Sequence, residues 1–171
     1  MLLPTSVDVL RCVERTLETV IAPTLTGNGE RSALATIGHL LRHVALRIEI
    51  EGQLLVEDIA VVRPLLAQVD AYLASAAPQD PETATLHARL AALLGSPSQM
   101  HGYRSVANLT EEVTALRQGV CDSLLYVQTR ASDANPPAKV VHDALLGYLA
   151  WEVAQEAKII DPAFEGFGPR R

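Results

Sequence analysis

The chain has 171 residues, 49% of them apolar but only 4% aromatic, and a formal net charge of −6. That length and apolar content exclude intrinsic disorder and suit one domain with an aliphatic core, as helical bundles have. The acidic balance argues against nucleic acid as a partner, since only Lys139, Lys158 and the terminal Arg170–Arg171 pair break the scatter of single arginines.

A membrane span is not expected either. The longest uninterrupted apolar stretch, Ala144 to Trp151, falls far short of the ~20 residues a span requires. The opening MLLPTSVDVLRC has no basic region followed by an apolar run, so the sequence predicts no secretory signal and a cytoplasmic location. Cys12 and Cys121 are far apart and lack metal or redox spacing, which predicts reduced core cysteines.

The pattern predicts an all-α, single-domain bundle of about five main helices over residues 1–171, with an extended tail at 161–171. The first helix covers Ser6 to Ala22, capped by Thr5 or Ser6 and stopped by Pro23, with the stripe Val9, Leu10, Val13, Leu17, Val20 and Ile21. The second runs from Glu30 to Glu51 and ends at Gly52. At 100° per residue, Leu34, Ile37, Leu40, Leu41, Val44, Ala45 and Ile48 share its broad apolar arc, and Ala35, Leu46 and Ile50 form a second arc around His39. A helix with two apolar faces is central or lies in a subunit interface.

The third helix spans Leu54 to Ala76 on the stripe Leu55, Ile59, Val62, Leu66, Val69 and Leu73, with Pro64 expected to kink or restart it. A minor helix, Glu82 to Leu94, ends at Gly95. The long loop GSPSQMHGYRSVA follows, and a fourth helix opens at Asn108 with Glu111 at capping-box spacing. It continues to Arg130 on Leu109, Val113, Leu116, Val120, Leu124 and Val127. The fifth helix begins near Pro137 and ends near Ile159, before a tail whose Pro and Gly content opposes a helix.

Polar residues within apolar arcs are the places where a bundle carries chemistry. His142, Tyr148, Glu152 and Glu156 fall in the arc of the fifth helix, Asp58 in that of the third, and His39 in the second arc of the second helix. Glu152 and Glu156, at i and i+4, have the spacing to share an ion that His39 or His142 would complete. The Glu-x-x-His pair of di-iron bundles does not occur, and the His39–His43 pair lacks the glutamate of zincins, so neither a metal nor a cofactor is expected. Those two carboxylates are expected to make hydrogen bonds or to reach solvent at the helix end. The loop carrying His101, Tyr103 and Arg104 is the other candidate binding segment. No nucleophile elbow and no phosphate-cradling loop can be found.

Residues 4–51 resemble the opening of an uncharacterised bacterial helical family. Pro23, Leu25 and Gly27 match its Pro-x-Leu-x-Gly turn, and Arg47 and Glu49 resemble the Arg-Glu that ends its second helix, although Ile48 separates them here. Genes of that family neighbour aminoglycoside-phosphotransferase-like kinases and acyl-CoA dehydrogenases. The resemblance implies an accessory role in acyl-CoA or small-molecule catabolism, beside a partner enzyme.

The sequence thus predicts a non-catalytic, self-associating bundle acting as an accessory or interaction subunit. The alternatives are a bundle enzyme or metal protein using Asp58, Glu152, Glu156 and histidines, and a small-molecule binder with a pocket near Tyr148, Trp151 and His101. A homodimer or higher even oligomer is expected, with His39, Leu46 and Ile50 at the contact. Phe164 and Phe167, the only phenylalanines, are expected to dock in a groove of the same subunit or across the interface.

Overall fold

The computed structural model describes residues 4–76, 80–95, 104–132 and 134–164. Among the described residues it contains five α-helices and no strand: α1 Ser6–Thr16, α2 Asn28–Ser75, α3 Pro81–Gly95, α4 Val106–Gln128 and α5 Pro136–Phe164. The all-α class expected from the sequence is therefore the one observed, and none of the described helices is long and apolar enough to cross a membrane. The chain gathers into two compact units, one of residues 1–52 with 154–171, the other of residues 53–153.

In the first unit α1 starts where the sequence places it. Thr5 is the N-cap, and a capping box with Asp8 satisfies both the Asp8 amide and its own. The chain then widens into a π turn, Leu17–Ile21, and tightens into a 3-10 turn, Ala22–Thr24, before Leu25 leaves in extended conformation. Two ion pairs tie α1 to α2, Arg11 to Glu49 at 2.8 Å and Glu14 to Arg42 at 3.0 Å. Their order shows that the helices run antiparallel.

Burial in this unit departs from the expected stripes. Val7 is the buried residue of α1, and Ala45, Ile159 and Ala163 are buried in the same unit. Val9, Val13, Val20 and Ile21, expected in the core, are exposed, and so are Ile37, Leu40, Val44 and Ile48 of the broad arc of α2. His39, Leu46 and Ile50, expected at a subunit contact, are half-buried, and the His39 ring stacks on Phe164 of α5. Periodicity shows which side chains share an arc, not which arc the rest of the chain covers.

The second unit holds the main core. Val62, Leu66, Val69 and Leu73 of α2 pack with Leu86 and Leu90 of α3. Leu109, Val113, Leu116, Val120 and Val127 of α4 join them, with Val141 and Leu145 of α5. Gly119 lets the helices meet closely, because a Cβ there would lie 3.1 Å from Leu93, 3.2 Å from Leu66 and 3.3 Å from Leu90.

Several boundaries differ from expectation. Gly52 does not stop the second helix and Pro64 does not restart it, so the expected second and third helices are one element of 48 residues. Ala60 and Pro64 are both exposed, so water can serve the carbonyl that the proline leaves without a donor. Ser105, not Asn108, caps α4 and accepts from the Asn108 amide. The fifth helix continues through Pro162 to Phe164, so the first residues of the expected tail are helical; Phe167 lies outside the described residues. Cys12 and Cys121 are exposed free thiols rather than core residues.

Candidate functional site

Asp58 is the one buried charged residue among the described residues. It sits on α2 one residue before Ile59, inside the Leu55–Val62 stripe, so the periodicity that builds the core also carries its carboxylate inward. α4 presents Arg117, next to Leu116, and α5 presents Tyr148 and Glu152 four residues apart.

The three helices meet at that carboxylate. Arg117 donates from Nε at 2.9 Å and Nη2 at 2.7 Å to Oδ2, and the Tyr148 hydroxyl donates to Oδ1 at 2.7 Å. Arg117 Nη1 also reaches Glu152 at 2.8 Å. The Tyr148 ring stacks on Trp151 with centroids 6.0 Å apart.

Burial, followed by the hydrogen bond to Asp58, holds the Tyr148 hydroxyl protonated well above its ordinary range, against the opposing charge of Arg117. Burial alone would weaken the proton affinity of Arg117, but Asp58 and then Glu152 outweigh it and raise the pKa. Both carboxylate oxygens of Asp58 are occupied by donors from the chain itself. The arrangement clamps three helices together and leaves that carboxylate without an open side.

The other residues singled out from the sequence go elsewhere. Glu156 pairs with Arg47 at 3.3 Å, and Arg47 also holds Glu51 at 2.6 Å and donates to His43 Nε2 at 3.0 Å. Glu152 and Glu156 thus pair with different arginines. His39 Nδ1 lies 3.1 Å from the Ala163 carbonyl and 3.1 Å from Arg42 Nη2, and Phe164 also tilts over His43 at 6.3 Å. His142 is half-buried beside Asp143, 3.3 Å away.

Arg104 is tied to Glu112, which also receives Arg63 from Nε at 2.9 Å and Nη2 at 2.6 Å. Burial works to raise the Glu112 pKa, but the hydrogen bonds and charges of Arg63 and Arg104 outweigh it and hold it low. His101 and Tyr103 lie outside the described residues. No group of three or more His, Cys, Asp or Glu placed to hold a metal occurs among the described residues.

Sequence reasoning found Asp58, Tyr148 and Glu152 but missed Arg117. Its signal was present: Arg117 stands four residues after Val113 and three before Val120, on the edge of the apolar stripe. A cavity of about 480 Å³ lies elsewhere in the same unit, lined by Tyr72, Asp80, Thr83, Tyr126, Arg130 and Pro137 among others. Its polar groups are engaged with one another: Thr83 and Tyr126 share a hydroxyl hydrogen bond of 2.6 Å, and the Arg130 guanidinium lies 3.9 Å over the Tyr126 ring and 2.7 Å from Glu82.

Comparison with protein-family models, with curated proteins and with solved structures gives no match.

Proposed function

We propose that this chain is a non-catalytic, self-associating helical protein, an accessory or interaction subunit of cytoplasmic small-molecule metabolism in bacteria. The observation that carries the reading is the exposure of eight aliphatic residues on and just after α1 and on the first part of α2, from Val9 to Ile48. Exposed apolar surface of that extent marks association. The Asp58 clamp supports the same reading, since both oxygens of that buried carboxylate are taken by Arg117 and Tyr148. The metabolic setting rests on the resemblance carried by Pro23, Leu25, Gly27, Arg47 and Glu49.

The test is light scattering on the purified full chain at micromolar concentration, with elemental analysis of the same sample. A dimer or larger even oligomer without stoichiometric metal supports the proposal. A monomer, or an equivalent of iron, manganese or zinc retained after desalting, overturns it in favour of a metal-dependent bundle enzyme.

A further inference from the structure

Val9, Val13 and Ile21 with Ile37, Leu40, Val44 and Ile48, all exposed, form one face of the first unit, and we infer that a second copy of this chain covers it with the same face, completing a four-helix bundle from two α1–α2 pairs. This rests on the self-association proposed above and assigns its surface.

Arg11–Glu49 and Glu14–Arg42 fix both the antiparallel direction and the register. Carried along the helices, that register sets Val9 level with Ile48, Val13 with Val44, Leu17 with Leu40 and Ile21 with Ile37. Each level is a pair of aliphatic side chains, and seven of the eight residues are exposed, Leu17 being half-buried.

Direction matters as much as level. At 100° per residue, Val9 and Val13 point roughly 120° away from the side of α1 that meets α2, and the Ile37–Ile48 stripe points roughly 120° away from the side of α2 that meets α1. Because the helices are antiparallel and both are right-handed, these two rotations bring the stripes to the same side of the pair. On α2 the third direction, that of His39 and His43, is taken by Phe164. Among the described residues the open face is therefore a separate side of the pair rather than the rim of an existing contact.

The chemistry of the face selects the occupant. Arg11, Glu14, Arg42 and Glu49 lie along the seam, and Asp8 and Arg15 fall on the side of α1 away from the stripe. From Ala33 to Val44 the α2 stripe carries no charged residue, so two chains of net charge −6 can meet there without opposing like charges. Eight aliphatic side chains about half exposed present on the order of 600 Å², at the top of the range for the largest patch of a monomer. That is most of the roughly 800 Å² each partner contributes to a stable interface. A two-fold axis requires a self-complementary surface, and four levels of paired aliphatics provide one: each level gains two more side chains from the second copy, the layered core of a four-helix bundle.

The experiment is sedimentation equilibrium of the full-length chain and of Val13→Glu, Leu40→Glu and the control Leu125→Glu, an exposed leucine of α4. Circular dichroism confirms that each variant keeps its helices. The expected result is a wild-type dimer whose dissociation constant rises at least about 100-fold in Val13→Glu and in Leu40→Glu and stays within about twofold in the control. A dimer that survives both face variants overturns the assignment of the surface while leaving self-association intact; a monomeric wild type overturns both. Hydrogen exchange of the wild type gives an independent reading that needs no variant. Amides of α1 should gain protection as concentration rises, and protection independent of concentration in a dimeric sample would count against this face.

Discussion

Replacing Arg117 by Leu keeps most of the aliphatic volume but leaves the Asp58 carboxylate, 3% exposed, with Tyr148 as its donor. A buried charge that loses its partner costs about 3–5 kcal/mol. The Tyr148 hydrogen bond offsets part of this, so the expected loss is about 3 kcal/mol at pH 7.

Urea denaturation followed by circular dichroism at pH 7 measures this loss, which corresponds to a melting shift of roughly 6–12 °C for a chain of this size. Adding Asp58→Asn to Arg117→Leu should recover about 1–2 kcal/mol at pH 7, since a neutral amide can still accept from Tyr148. A loss under about 1 kcal/mol at pH 7, or no recovery on adding Asp58→Asn, would refute the claim that the clamp works by compensating a buried charge.

Gly119→Val should cost about 2–3 kcal/mol, because Leu66, Leu90 and Leu93 leave no room for added atoms, whereas Gly147→Ala, with nothing near its Cβ, should gain about 0.5–1 kcal/mol; thermal denaturation measures both. Glu112 has a depressed folded pKa, so its contribution is present above the ordinary glutamate value near 4.3 and fades as pH falls through the folded one; Glu112→Gln should flatten the acid limb of the stability–pH curve below about pH 4.5.

The second unit was largely legible in the sequence. The stripes Ile59–Val62–Leu66–Val69–Leu73 and Leu109–Val113–Leu116–Val120–Val127 are buried as spacing demands, and Asp58, next to Ile59, falls in the arc of the first. Its partner was not, because an arginine beside a stripe reads as a solvated flank until another helix supplies a carboxylate. The first unit was legible in its arcs but not in their use: the broad arc of α2 looks like core, yet the chain covers the narrower one with the end of α5. Helix continuity at Gly52 and Pro64 escaped for a different reason. Both residues weaken a helix locally by amounts that packing along the rest of a long element can offset.

The Asp58 clamp also bears on how the second unit folds. Its partners lie 59 and 90 residues along the chain, so neither can be reached until α4 and α5 have docked against α2. A half-assembled state that dehydrates the carboxylate early receives nothing in return, and is disfavoured against both the open chain and the finished unit. Arrivals out of register meet the same barrier, because leucines tolerate a slipped neighbour and a buried carboxylate does not. The cost falls on speed: long-range closure must precede the reward, so assembly of this unit is slower and more all-or-none than its helical content would suggest.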